Sequence, residues 1–525
     1  MRSLRLPLID QYLREQQDLS AVERFARQHD AAVDHGRYRE LLPATPPGPG
    51  QQYAFEVDLD ACTACKACVT ACHRLNGLDD GETWRSVGLL HGGTSTAPVQ
   101  QVVTTACHHC LDPACMTGCP VGAYDKDPVT GIVKHLDDQC IGCQYCTFTC
   151  PYEVPQYSAR RGIVRKCDMC SGRLATVEAP ACVQACPNSA ISITVVETRE
   201  AIEDAQGDAF LPGTPSPGIT IPTTQYRPAR ALPRNLLPAD FYRIAPSHHH
   251  APLVVMLVLT QLSVGAFVVA AVASLFLDAP ALAAFEPVHT ITALAVGLAA
   301  LAASVFHLGR PLYAFRAVLG LRTSWMSREI VAFGLFAPAA IAYAATSVVD
   351  IGALHDALGW AVAALGVLGI ACSTAIYHAT RRAWWTATTT GFKFFMTAVV
   401  LGLATTIVTM CAARLAPPPA LAYVLAAASG LKAIGEATLF FRLRDRRHTA
   451  LKRSALLHVT DLRTWAIARF IAIAIGGVVL PLATATGGSI VLAIFSLAAL
   501  VTGEVLERTL FFAASSSPGM PGGVR

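Results

Sequence analysis

Apolar residues crowd the second half of the chain. Beyond residue 250 they gather into eight stretches, at about 252–277, 285–307, 329–349, 358–378, 390–412, 419–441, 465–484 and 488–512. Each is near the ~20 residues that a bilayer-crossing helix needs. They are apolar on all faces, which excludes a bundle of soluble amphipathic helices. Residues 1–50 follow another pattern: LIDQYLREQQDLSAVERFARQHD spaces its Leu, Ile, Val and Phe as a helix does, and PATPPGPG then ends it. An amphipathic helix without a core of its own docks on another subunit or caps the neighbouring domain. Between about Gly207 and Ser247 proline dominates, as in GTPSPGITIPTTQYRPARALP, and such a segment extends as a strap. The organisation expected is an N-terminal extension (1–50), a cysteine-rich head (51–206), a tether (207–250), a membrane body (251–514) and a short tail (515–525).

Charge gives the body an orientation. The connections after the second, fourth and sixth stretches carry Arg310, Arg316, Arg322, Arg328, Arg381, Arg382, Arg442, Arg444, Arg446, Arg447, Lys452, Arg453 and Arg463; the others carry only Arg414. Basic loops stay inside, and an even number of spans leaves the head on their side, so the head is expected in the cytoplasm of a bacterial inner membrane. The N-terminus has neither a signal-peptide core nor a twin arginine, so an exported, disulfide-bonded head is not expected. The net charge of +4 points to no nucleic-acid partner; the partners expected are the bilayer and other redox components. Charges inside spans are costly and mark function. Lys432 and Glu436 lie one turn apart and can neutralise each other. Lys393 and Arg469 read as snorkelling to the interface. His307 and Glu504 gain little that way and stand out.

Sixteen of the eighteen cysteines fall between positions 62 and 186, in four groups of four. They are Cys62, Cys65, Cys68 and Cys72; Cys107, Cys110, Cys115 and Cys119; Cys140, Cys143, Cys146 and Cys150; and Cys167, Cys170, Cys182 and Cys186. The third, CIGCQYCTFTCP, has the bacterial ferredoxin spacing, in which three thiolates hold one 4Fe–4S cube and the fourth reaches its neighbour. Zinc sites use separated CxxC pairs instead. Proline after the last cysteine suits the first turn of a helix. Because ligands cross between groups, the groups work in pairs, and spacing alone leaves the pairing open. His73, His108 and His109, beside ligands, read as polar cover that tunes potentials or meets solvent.

The runs CxxCxxCxxxC, CxHCxDPACxxxCP, CIGCxYCxxxCPYxxPQY and KCDxCxxR…PxCVxxCP resemble the iron–sulfur subunit of the dimethyl sulfoxide reductase family of molybdenum enzymes. That resemblance implies an α+β ferredoxin-like dicluster head of two pseudo-twofold ferredoxin modules, followed by an all-α eight-helix transmembrane bundle. It implies four 4Fe–4S clusters, held by Cys62, Cys65, Cys68 and Cys186; by Cys167, Cys170, Cys182 and Cys72; by Cys107, Cys110, Cys115 and Cys150; and by Cys140, Cys143, Cys146 and Cys119. Some relatives carry tryptophan in the third group and a 3Fe–4S centre; Cys143 is intact here. FHLGRPLYAFRA and LRTSWMSREI are similar to the same family's membrane anchor, whose quinol site implies His307 and Glu329. Imidazole and carboxylate suit the proton exchange of a quinone. No CxxCH motif occurs and no haem is expected, although His289, His307 and His378 lie in or near spans.

The chain therefore reads as a fused electron-transfer and anchor subunit, with its own quinone site but no molybdopterin domain, so substrate chemistry falls to a separate molybdopterin-containing catalytic subunit. In its fusion and inward facing it is most similar to cytoplasmic sulfite:quinone oxidoreductases, which implies electrons passing from sulfite to the quinone pool. The alternatives are a dimethyl sulfoxide or polysulfide-type reductase subunit fed by quinol, a hydrogenase partner, or an ion-translocating complex. A pump needs protonatable groups across the whole membrane. In the sequence these gather on one side.

Overall fold

Alternation in QQYAFEVD makes the first strand, β1 (Gln51–Asp58), with Ala54, Phe55 and Val57 buried. The computed structural model describes residues 40–522 apart from 249, 348–352, 488 and 517–518, together with Gln11, Arg14 and Glu23. The helix expected within residues 1–50 thus lies largely outside the described residues. In the head, β1 pairs antiparallel with β8 (Ile191–Glu197), from Gln51↔Glu197 to Val57↔Ile191. This pairing of first with last strand brings the first cysteine group beside the fourth. A second sheet is the hairpin β2 (Ser86–Gly93) and β3 (Pro98–Thr105). Two short hairpins space the remaining groups: β4 (Tyr124–Lys126) with β5 (Val133–His135), and β6 (Gln156–Ser158) with β7 (Ile163–Arg165). The fold is a ferredoxin-like α+β head on an all-α bundle.

The proline-rich segment is extended but not free. β9 (Gln225–Arg227) runs parallel to β1, and β10 (Leu237–Pro238) pairs with β2, so the strap completes the two larger head sheets. Residues near the C-terminus return to the same edge, where the Leu89 amide donates to the Gly522 carbonyl at 3.0 Å.

Among the described residues eight helices are long and apolar enough to cross a membrane: Ala251–Ala273, Ala279–Val305, Trp325–Thr346, Leu354–His378, Ala387–Ala412, Pro419–Arg444, Arg463–Ala485 and Ile490–Ala513. The first and fifth form the centre, each 72% buried along its apolar window, while the sixth is only 17% buried. They cross at Gly265 and Gly402, where a Cβ on Gly265 would stand 1.9 Å from the Ala398 carbonyl oxygen. The seventh span opens into a π-helical turn, Ile475–Val479, whose Gly476 carbonyl accepts from Ser496 Oγ at 2.6 Å. Nothing in the sequence signalled the short helix Ala450–Val459, nor the 3-10 helix Pro311–Val318 that lies under the head.

Head and body are bolted together through the second and third cysteine groups. Arg310 and Arg316 donate to the Asp137 and Asp138 carbonyls at 2.8 and 2.6 Å, and Arg382 Nε donates to the Phe148 carbonyl at 2.9 Å. Ser324 Oγ donates to Gly118 O at 2.8 Å, and Tyr145 OH to Ile376 O at 2.6 Å. At the seam Gly309 meets Gly142 and Gly162, and a Cβ on Gly309 would lie 2.1 Å from the Gly162 carbonyl oxygen. The basic connectors and the head therefore share one side.

Candidate functional site

Each cysteine loop turns its backbone through left-handed residues. Lys66 and Gln144, each just after the second cysteine of its run, have φ of 60°, and each precedes a helix carrying the next cysteine. Such turns aim successive N–H groups into the loop, where sulfur can accept them. Gly142 N and Met169 N donate to Cys140 Sγ and Cys167 Sγ at 3.4 Å; Ala123 N and Ala190 N donate to Cys119 Sγ and Cys186 Sγ at 3.3 and 3.2 Å. The same geometry repeated in different groups is the local signature of two related modules.

The thiols meet in crossed sets. Cys62, Cys65, Cys68 and Cys186 line one pocket; Cys107, Cys110, Cys115 and Cys150 line another. Cys72 lies among Cys182, Cys170 and Cys167, and Cys119 among Cys140, Cys143 and Cys146. Among the described residues no three donor side chains close on a single ion. In the two sets that line pockets the sulfurs surround a space, as a polynuclear cluster requires. Burial, then the neighbouring sulfurs, pushes the Cys72 and Cys143 thiols up to about 12. Such thiols ionise only for a cation, as cluster irons are. The donor set and its shape fit 4Fe–4S groups.

Two buried cations accompany these anion-forming sulfurs. Burial alone would lower the Arg85 guanidinium, but Cys182, Cys68, Cys167 and Cys72 hold it up. Lys166 donates to the Cys167 carbonyl at 2.8 Å and reaches Cys107 Sγ at 3.6 Å. Neither was singled out from sequence; Lys166 opens the run KCDxCxxR, while Arg85 had no signal beyond a charge inside a cysteine-rich stretch. His108 and His109 are 2% and 0% exposed, so they do not meet solvent. His108 Nδ1 bonds Thr224 Oγ1 at 2.9 Å, and His109 Nδ1 accepts from Val133 N at 3.1 Å.

The sets follow one another. Cys68 neighbours Cys182, Cys167 neighbours Cys107, and Tyr124 lies among Cys146, Cys115 and Cys119. The order runs from the exposed Cys65 to the Cys140–Cys146 loop on the membrane body. There the Tyr145 phenol stands between Cys143 and Glu329. Glu329 is 7% exposed and accepts a hydrogen bond from Ser373 Oγ. His307 lies just past the second span, its Nδ1 buried without a partner. Among the described residues no hydrogen bond or ion pair joins His307 to Glu329. His289 bonds Thr409 Oγ1 and Ala266 O at 2.8 and 2.9 Å, a satisfied core histidine.

Of the charges within spans, Lys432 and Glu436 pair at 3.1 Å as their spacing suggested, while Arg469 and Lys393 differ from their sequence reading. Arg469 does not snorkel: its side chain is 1% exposed and Nη2 lies 2.9 Å from both Glu436 and Glu504. Lys393 pairs with Glu507 at 2.9 Å instead of reaching water freely. Nor are polar groups confined to the head's side. At the far ends of the spans Glu286 meets His355 Nε2 at 3.0 Å and accepts from Tyr343 OH at 3.3 Å.

Residues 245–514 match the family model of the DMSO reductase anchor subunit (DmsC), and residues 99–196 that of the 4Fe-4S dicluster domain. One component of the anaerobic dimethyl sulfoxide reductase of Haemophilus influenzae is 33% identical over 187 residues, 34% of this chain and 90% of that protein. Its namesake in Escherichia coli K12 is 36% identical over 189 residues, 34% of this chain and 92% of the relative. A component of the sulfite dehydrogenase of Allochromatium vinosum is 30% identical over 219 residues, 37% of this chain and 90% of that protein.

Proposed function

This protein belongs to the DMSO reductase anchor-subunit family, with an iron–sulfur head fused to the anchor, and from that premise we propose that it feeds electrons from membrane quinol to a separate molybdopterin reductase. The general role follows from the family and the relatives alike: an electron-transfer and membrane-anchor subunit, not the seat of substrate chemistry. The relatives named for dimethyl sulfoxide reductase favour the reductive direction over the sulfite oxidation that fusion suggested. The match to a sulfite dehydrogenase component keeps electron flow toward quinone as the second reading.

One observation carries the proposal: the unbroken succession of thiol sets from the exposed Cys65 to Tyr145 and Glu329 at the membrane seam. The ligand sets proposed are Cys62, Cys65, Cys68 and Cys186; Cys72, Cys167, Cys170 and Cys182; Cys107, Cys110, Cys115 and Cys150; and Cys119, Cys140, Cys143 and Cys146. Four 4Fe–4S clusters, when bound, supply one-electron stations. Arg85 and Lys166 offset the negative charge of the thiolates around them. Glu329 receives a proton from quinol, and Ser373 orients its carboxylate. His307, at the same seam, relays protons toward the head's side, which the basic connectors assign to the cytoplasm.

Anaerobically purified protein should carry about sixteen irons per chain. Glu329→Gln should keep that iron yet slow quinol-driven reduction of the head about 100-fold, followed by the visible and EPR spectra. Unchanged reduction in both Glu329→Gln and His307→Leu rejects the quinol site. Zinc, or far fewer irons, rejects the clusters.

A further inference from the structure

The buried charges of the fifth to eighth spans have no part in that reading. Lys432 Nζ lies 3.1 Å from Glu436 Oε1 and 3.3 Å from Glu504 Oε2, and Arg469 closes the square on both carboxylates. Thr397 Oγ1 donates to Glu504 at 2.6 Å and lies 3.1 Å from Lys432 Nζ. Ionised groups are costly to bury at membrane depth and tend to mark function.

This network borders a pocket. Between the fifth, sixth and eighth spans and the helix Ala450–Val459 lies a cavity of ≈ 440 Å³, open to its surroundings. Its aromatic wall includes Trp384, Trp385 and Phe392; its polar wall includes Lys393, Glu436 and His458. The Trp384 indole Nε1 is buried and has no acceptor among the described residues. His458 Nδ1 bonds the Ser454 carbonyl at 2.8 Å, and the tautomer this bond requires leaves Nε2 as an acceptor. Trp385 also touches the head: its ring meets Phe148 edge-on at 5.5 Å between centroids. Phe148 lies between Cys146 and Cys150, one in each of the two sets nearest the membrane.

We propose that this pocket is a second binding site for a quinone or quinol head group, separate from Glu329. Trp384 Nε1 donates to one ring oxygen, His458 Nε2 accepts from a quinol hydroxyl, and the aromatic wall packs the ring. An uncharged ring fits the wall better than a lipid phosphate does. Lys393 is already paired with Glu507, and Glu436 with Lys432 and Arg469, which leaves Arg442 and Asp445, one charge of each sign, on the lining and no net charge to hold an anion. The site rests on quinone as the chain's substrate, but not on His307 or Glu329.

The test is photolabelling of membranes containing the full chain with a photoreactive azido-quinone, followed by peptide mapping. Adducts are expected within residues 384–393 and 435–458, displaced by excess unlabelled quinone, and undiminished in Glu329→Gln. Trp384→Phe and His458→Leu should each cut labelling there at least fivefold with iron content unchanged. Labelling confined to the third and fourth spans overturns the proposal. So does a phospholipid that occupies the pocket, identified by mass spectrometry, and that excess quinone does not displace. Loss of quinol turnover in Glu329→Gln with persistent pocket labelling separates the two sites. Unaltered turnover in that variant, with the pocket still labelled, would discard Glu329 and leave the pocket standing.

Discussion

Lys432 shows how much one side chain can hold inside a membrane body. It is fully buried, and its ammonium group serves Glu436, Glu504, Thr397 and the Lys393 carbonyl. Removing one partner of a buried ion pair leaves the others uncompensated, at a cost of about 3–5 kcal/mol. Lys432→Met should therefore lower the thermal midpoint of the detergent-purified protein markedly, and the double variant Lys432→Met/Glu504→Gln should recover most of it. If the single variant melts like the wild type, the network is not a structural bolt. Arg469 belongs to the same square, and its snorkelling expectation failed for a definite reason. Sequence gives a residue's depth along its own helix but not which neighbour presents a carboxylate. Arg85 and Lys166 do for the head what these cations do for the body, placing positive charge where thiolates gather.

Among elements, close crossings decide the architecture. The first and fifth spans approach at Gly265 and Gly402 so nearly that no side chain fits between them. Gly265→Leu should destabilise the body by about 1–3 kcal/mol or more, since the obstructing atoms belong to backbone. Gly334→Ala is the control, because a Cβ there meets nothing within 4 Å; it should leave the thermal midpoint unchanged or slightly raised. Equal melting of the two variants contradicts the crossing. In the head the decisive element is the β1–β8 ladder, which sets the first cysteine group against the fourth. The strap then adds a strand to each of the two larger head sheets, so a segment rich in proline becomes part of the head it leaves.

At the scale of the whole molecule, the cysteine loops and the basic connectors meet in one seam, where the proposed electron path enters the membrane body. The cytoplasmic orientation proposed from charge is testable: protease added to inverted membrane vesicles should cut the head at its exposed loop near Val177, which is 81% exposed, and should spare it in right-side-out vesicles. The reverse pattern puts the head outside. The far-side group of Glu286, His355 and Tyr343 shows that polar chemistry is not limited to the seam.

Periodicity and spacing alone determined much of this protein. Eight spans were legible because a bilayer demands apolar length, and the cluster chemistry was legible because thiolate ligands need short, fixed separations. What stayed hidden were contacts between residues far apart in the chain. The order of the thiol sets, the placing of Arg85 beside four sulfurs, the square around Lys432 and the pocket between Trp384 and His458 all join separate segments. Local pattern records what each residue prefers to be near, water, lipid or metal. Only the packing of strands and helices decides which distant partner satisfies that preference.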